Sequence, residues 1–201
     1  MVITILLFIL SYFFGSFPTA VWYAKLFHGI DIREHGSGNA GATNSLRVLG
    51  KKAGIVVLLF DVVKGYLPVY LFKTFSETPD LAFLVGIVAI LGHVYSVFSG
   101  FKGGKGIATS LGVILAVQPV GALISVVAFV LTVVVSKYVS LGSLLAALVF
   151  NIYISFFTES PILIMVSGWF LLALLVYTHR TNIKKLIAGT ENKINAKKAG
   201  K

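Results

Sequence analysis

A run of small and amide residues closed by an arginine has the makings of an anion site: Gly36-Ser37-Gly38-Asn39-Ala40-Gly41-Ala42-Thr43-Asn44, then Arg47. Glycines let the backbone approach a ligand and turn its N–H groups towards it, which is one way to hold phosphate. Ser37, Asn39, Thr43 and Asn44 add hydrogen-bonding groups, and Arg47 adds a bidentate fork. A second run is Gly100-Phe101-Lys102-Gly103-Gly104-Lys105-Gly106, leading into Ile107-Ala108-Thr109. It is not a Walker A loop, whose glycines are more widely spaced before Lys-Ser/Thr. The physics is shared, because a glycine-rich loop that opens a helix offers unpaired N–H groups and a positive dipole end. Lys105 can neutralise an oxyanion or a leaving phosphate. Lys102 stands beside it, and His93, upstream in an apolar stretch, is either a supporting residue behind the loop or a helix-packing histidine.

The third run is His179-Arg180-Thr181-Asn182-Ile183-Lys184-Lys185-Leu186, followed by Gly189-Thr190-Glu191-Asn192. His179 suits a general base, a proton donor or a phosphate ligand. His179 and Asn182 share a face if the helix there continues. Glu191 can brace the loop by pairing with a lysine or arginine. Ser140 and Ser143 are either helix caps or further ligand contacts. Asp61 and Lys64 stand three apart inside an apolar stretch, where charges are functional candidates by default; an ion pair bracing a helix bundle is the plainer reading. The plainer reading of the lysine-rich segments is interfacial turns and an anionic-lipid patch, but it leaves His179 and Asn182 without a purpose.

These runs are carried by a chain built for a bilayer. Of 201 residues, 57% are hydrophobic and 12% charged, against about 25% charged in ordinary soluble domains, and the mean hydropathy is +0.95. With no cysteine there is no disulfide framework and no thiolate chemistry. There is no Gly-x-Ser-x-Gly elbow and no metal-ligand cluster. Donors and cations with few carboxylates suit a highly anionic substrate pair.

The expected fold is all-α, with about seven transmembrane helices. Span one covers about Val2 to Phe27, interrupted by Gly15, Ser16 and Pro18, a break that neighbours can satisfy. A polar loop, His28 to Lys52, follows. Span two is about Ala53 to Phe72, with a turn from Lys73 to Asp80, and span three about Leu81 to Phe98. From Ile107 to Ser136 no residue is charged; Gln118-Pro119 divides this stretch into a short span four and a fuller span five, because proline disfavours helix in the residue before it. After a turn from Lys137 to Ser140, span six is about Leu141 to Phe157 and span seven about Ile162 to Thr178. Residues 1–192 form a single membrane domain and 193–201 a basic, disorder-prone tail.

The net charge of +10 is one-sided, with seven of the seventeen Lys and Arg residues from Arg180 onward. The loops after spans one, three, five and seven hold Arg33, Arg47, Lys51, Lys52, Lys102, Lys105, Lys137 and the tail, whereas the opposite side holds essentially Lys73. The positive-inside rule then places the N-terminus outside and the C-terminus in the cytoplasm. All three polar runs fall on the cytoplasmic side. A transporter would place its binding residues near the midplane instead, so an organophosphate transporter is the rival reading and an anionic-lipid-binding scaffold a weaker third. Nucleic acid ranks last as a partner.

The first run through Arg47, Gly92-His93 with Phe101-Lys102-Gly103-Gly104-Lys105-Gly106, and His179 to Ile183 with Gly189 to Asn192 resemble the three signature regions of the bacterial PlsY family of acyl-phosphate:glycerol-3-phosphate acyltransferases. The resemblance spans nearly the whole chain; Ser96 departs from it, standing where proline is expected in many members. It implies transfer of a fatty acyl group from acyl phosphate to the 1-hydroxyl of glycerol 3-phosphate, giving lysophosphatidate and inorganic phosphate, the first acylation of phospholipid synthesis. It implies no metal or cofactor, and a monomer among membrane lipids in the bacterial inner membrane with its site facing the cytoplasm. By this resemblance Ser37, Arg47, Lys105, His179 and Asn182 are catalytic. Gly38, Asn39, Gly41, Thr43, Asn44, Lys102, Gly103, Gly104, Gly106, Ser140, Ser143 and Glu191 contact substrate, with His93 behind them. The oxyanion is expected to meet backbone N–H groups near Gly103 to Gly106. The proton acceptor is either His179 or a substrate phosphate oxygen.

Overall fold

The structure, a computed structural model, describes residues 2–194; the tail beyond residue 194 lies outside the described residues. The described residues are helical and contain no strand. They fall into two compact units, one ending at Pro119 and the other beginning at Val120.

In the first unit, span one breaks into α1 (Val2–Gly15) and α2 (Thr19–His28). Pro18 causes the break, and neighbours satisfy the carbonyls it frees: Lys64 Nζ donates to the Phe17 carbonyl at 2.9 Å, and the Ser96 hydroxyl donates to the Ser16 carbonyl. A proline at position 96 could not make this bond. The expected loop between His28 and Lys52 is only partly a loop. It contains a 3-10 turn, Ile32–Glu34, and α3 (Ala42–Leu49), whose Asn44 and Ser45 face inward. Next come α4 (Lys51–Phe75), α5 (Ala82–Val94) and α6 (Ile107–Val117). Because α4 runs on to Phe75, the expected turn at Lys73 starts later. Glycines let backbones meet in this unit. A side chain on Gly65 of α4 would overlap the Thr109 carbonyl, and one on Gly112 of α6 would overlap that of Val62, as small residues do at membrane helix interfaces. Beneath the first signature loop lies a core of Ala20, Val21, Ala24, Ile32, Ala40 and Val57, which fixes the loop's height on α2 and α4.

The second unit holds α7 (Pro119–Ser136), α8 (Val139–Phe156), α9 (Ile162–Thr178) and α10 (Arg180–Ile187). The break at Gln118 and the bounds of α9 agree with the sequence reading. The continuation of the tail into α10, bent 62° from α9, was expected only conditionally. Gly168 of α9 lies against Asn151 of α8.

Five of the described segments are long and apolar enough to cross a membrane, and the bent α9–α10 pair makes a sixth. Helix α6 is apolar but has only 11 residues, about 17 Å of rise against a hydrocarbon core of about 30 Å. Leu58, Leu59, Phe60 and Val63 on α4, and Leu131, Val134 and Val135 on α7, are exposed apolar side chains. A bilayer accounts for such faces where water would not.

Candidate active site

The first signature segment is organised by two residues. Asp31 caps the turn at Ile32–Glu34 and takes both sides of the Arg33 guanidinium, Nε to Oδ1 at 2.9 Å and Nη2 to Oδ2 at 2.6 Å. The remaining Arg33 nitrogen, Nη1, donates to the Ser99 carbonyl at 2.9 Å. The Asp31–Arg33 pair therefore ties the first segment to the second. Asn44, almost fully buried, spends its whole amide on the loop. Its Oδ1 accepts the Ser37 N–H at 2.8 Å, and its Nδ2 donates to the carbonyls of Ile32 and His35 at 3.1 and 3.0 Å. Asn44 thus braces the segment expected to bind through it. Gly36 is left-handed at φ 64° and a side chain there would overlap the Asn44 oxygen, so the loop needs glycine twice over.

What this bracing presents is a helix start. Gly41 is the N-cap of α3 and supplies no side-chain cap. The first intrahelical bond is Ser45 N–H to the Gly41 carbonyl, which leaves the preceding amides without an intrahelical acceptor. Ser37 and Gly38 are exposed, Asn39 and Thr43 half-buried. Arg47, in the last turn of α3, is half-buried and makes no hydrogen bond or ion pair to the described residues.

The second segment folds back on α5. Phe101 N–H donates to the Ser96 carbonyl at 2.7 Å, Gly103 N–H to Val94 at 3.0 Å and Gly104 N–H to His93 at 3.2 Å. The amides of Gly103 and Gly104 are therefore engaged, and an oxyanion must look further along, to the start of α6. There Gly106, left-handed at φ 90°, is the N-cap and again offers no side chain, while its carbonyl takes the Ser110 N–H at 2.7 Å. Lys105 is half-buried at this point and Lys102 is exposed. A Cβ on Gly104 would lie 2.9 Å from the Ala40 carbonyl, so the two signature loops touch. The starts of α3 and α6 are thereby adjacent in one unit. Two neighbouring helix N-termini can attract an anion, with Lys105 at the start of the second; the described residues contain no cluster of His, Cys, Asp or Glu able to hold a metal ion.

The third segment lies in the second unit. His179 is buried at the α9–α10 bend, and its Nδ1 is 2.8 Å from the Leu175 carbonyl. A carbonyl only accepts, so Nδ1 carries the proton. Asn182 Nδ2 and Ser140 Oγ both donate to Glu191 Oε1, at 2.7 and 2.8 Å. Glu191 thus braces the segment through an amide and a hydroxyl, not the expected lysine or arginine. Neither serine caps α8: Ser140 is turned to Glu191 and Ser143 donates to the Val139 carbonyl at 2.9 Å.

The residues that sequence reasoning missed are Asp31, Arg33 in its clamping role, and Ser99. The only signal was an Asp-x-Arg spacing, which is short enough for a bidentate pair. Arg33 holds the Asp31 carboxyl well below the usual carboxylate range, against a smaller opposing effect of burial. A depressed carboxylate stabilises the fold above its unfolded pKa, about 3.9, and loses that contribution as pH falls through the folded value. Asp31→Asn is expected to lower the melting temperature at pH 7, with the gap to the parent protein closing below about pH 4. Thermal scans in detergent from pH 3 to 7 check this, and a gap independent of pH would rule the clamp out as a source of stability.

Comparison with known proteins gives a consistent picture. The profile of the family described as Glycerol-3-phosphate acyltransferase matches residues 5–189. The chain is 46% identical over 185 residues to a glycerol-3-phosphate acyltransferase of Fusobacterium nucleatum, covering 92% of this chain and 95% of the relative. It is 46% identical over 190 residues to glycerol-3-phosphate acyltransferase 2 of Bacillus anthracis, covering 94% and 98%. Among solved structures it is similar to PlsY, an integral membrane glycerol 3-phosphate acyltransferase, in its glycerol 3-phosphate form, with TM-score 0.90, 39% identity and 94% of each chain covered. The lysophosphatidic acid form of PlsY matches with TM-score 0.87.

Proposed function

The chain belongs to the glycerol-3-phosphate acyltransferase family, and from that premise we propose how it acylates glycerol 3-phosphate to lysophosphatidate. The acyl donor is acyl phosphate, and the released product is inorganic phosphate. The hydroxyl oxygen at carbon 1 of glycerol 3-phosphate attacks the acyl carbonyl carbon, the acyl–oxygen bond to phosphate breaks, and the hydroxyl proton leaves to an acceptor. Because the donor is already activated and phosphate leaves well, catalysis reduces mainly to positioning and charge stabilisation.

The adjacency of the α3 and α6 N-termini through Gly104 and Ala40 is the observation that carries this reading, because both substrates bring phosphate. Arg47 supplies the fork for one phosphate. Lys105 and the first amides of α6, after Gly106, stabilise charge at the acyl carbon and the departing phosphate. Ser37, Gly38, Asn39, Gly41 and Thr43 line the same loop; Asn44, Gly103 and Gly104 hold its shape. By the family resemblance His179 and Asn182 are assigned to substrate, and Ser140 and Glu191 fix Asn182. Asp31 and Glu191 are both engaged, so the proton goes either to His179 Nε2 or to a substrate phosphate oxygen. His179→Gln separates the two, since near-normal turnover removes the histidine as base. The basic loops support a cytoplasmic orientation of this face, and the family resemblance supports a bacterial inner-membrane location.

The test follows phosphate release by purified protein in lipid mesophase, given acyl phosphate and glycerol 3-phosphate, with acyl-CoA replacing the donor in parallel. The expected result is release that needs glycerol 3-phosphate, yields lysophosphatidate and fails with acyl-CoA. Release with acyl-CoA alone, or none from folded protein, would overturn the donor assignment.

A further inference from the structure

An acidic and a basic side chain lie buried together in the first unit, on α4. Asp61 and Lys64 sit on α4, three apart, with side chains 3% and 5% exposed and Nζ 2.8 Å from Oδ1. Charges at this depth cost a few kcal/mol and are rarely kept for packing alone, since a buried pair can often be replaced by apolar residues without loss of stability. The pair reaches two other elements. Lys64 Nζ donates to the Phe17 carbonyl at the Pro18 break. Asp61 Oδ1 stands 3.8 Å from His93 Nδ1 near the end of α5.

His93 in turn meets the second signature loop on two sides. Its carbonyl takes the Gly104 N–H, and its Nε2 lies so close under Gly104 that a Cβ there would overlap it. The contacts therefore run from the break in span one through Lys64, Asp61 and His93 to Gly104, the residue before Lys105 and two before the N-cap of α6. An imidazole ring that could rotate would leave Gly104 without a floor. The Asp61 carboxylate packs beside the Nδ1 edge of the ring at 3.8 Å and limits its rotation, and Lys64, 2.8 Å from the same oxygen, keeps that carboxylate in place.

We infer that Asp61, Lys64 and His93 are positioning residues that set the height of the Gly103–Gly106 loop, and with it Lys105 and the start of α6. The inference rests on the reading of that loop as a phosphate site. A readout independent of turnover separates the two.

The variants are His93→Ala, His93→Gln and the charge-free double variant Asp61→Asn with Lys64→Met, each compared with the parent protein in detergent. Hydrogen–deuterium exchange is followed in peptides covering 100–108, with 145–156 as a remote reference. His93→Ala and the double variant are expected to speed exchange in 100–108 by about tenfold and leave the reference unchanged. His93→Gln, which keeps a polar side chain of similar reach, is expected to restore most of the protection. In the phosphate-release assay the same two variants should raise KM for acyl phosphate about tenfold, as small misplacements of a binding group do, while KM for glycerol 3-phosphate changes less. Unchanged protection in 100–108 in folded His93→Ala, or loosening spread evenly over the first unit, would overturn the inference and leave a bundle brace. If the double variant does not fold, the His93 pair decides alone. Altered exchange in 100–108 without any change in KM would keep the positioning role and count against the phosphate reading of the loop.

Discussion

Arg47→Ala is expected to lower kcat/KM by about a thousandfold, roughly 4 kcal/mol of lost transition-state stabilisation. Arg47 stands in the last turn of α3, half-buried, with no hydrogen bond or ion pair to the described residues. A half-buried cation that pairs with none of the described residues is available to an anionic ligand. Its removal therefore touches the fold little: about 0.3–1 kcal/mol for a cation near a helix C-terminus. Arg47→Lys restores charge but not the planar fork, and about tenfold of the loss should return. Steady-state phosphate release with matched melting temperatures checks both variants. Activity within a few-fold of the parent in folded Arg47→Ala would remove Arg47 from the site.

Gly104→Ala is expected to be damaging for a different reason. The added Cβ would overlap His93 Nε2 and lie 2.9 Å from the Ala40 carbonyl. Neither obstacle yields easily, since one is a buried ring and the other is backbone. Relief requires the second loop to lift off α5, stretching the Gly103 and Gly104 N–H bonds and carrying Lys105 with it. Overpacking of this kind costs about 1–3 kcal/mol of stability, and the displaced loop should lose at least about a hundredfold in turnover. Gly29→Ala is the control. Gly29 is left-handed at φ 66°, but open space surrounds its would-be Cβ, so only backbone strain of about 1–2 kcal/mol arises and turnover per folded molecule should hold. Comparable turnover losses in Gly104→Ala and Gly29→Ala would show that loop strain alone, not the contact with His93 and Ala40, governs the site.

Much of this protein is legible in one dimension. Long charge-free runs demand helices, because in hydrocarbon every backbone group must be satisfied within its own segment. Proline at 18 and 119 marks breaks wherever the chain folds, since its ring removes a donor and restricts its neighbour. That logic located α9 and the α6–α7 break, and the three polar runs carried the family resemblance.

What it could not supply was the use of each polar group. Asn44 looked like a ligand contact because amides bind ligands; its partners, Ile32, His35 and Ser37, became its partners only when α3 formed in what read as a loop. Glu191 looked like half of an ion pair, and the nearest donors turned out to be Ser140, 51 positions away, and Asn182. The glycine amides of the second run looked available, and two of them are taken by the carbonyls at the end of α5. The amino-acid sequence by itself determined the solvent, the helices, the breaks and the presence of an anion-binding chemistry, because each follows from a residue and its near neighbours. Only the tertiary structure decided which polar groups hold the loops. A hydrogen bond takes whichever partner lies within about 3 Å, and that proximity is created by packing between elements far apart in the chain.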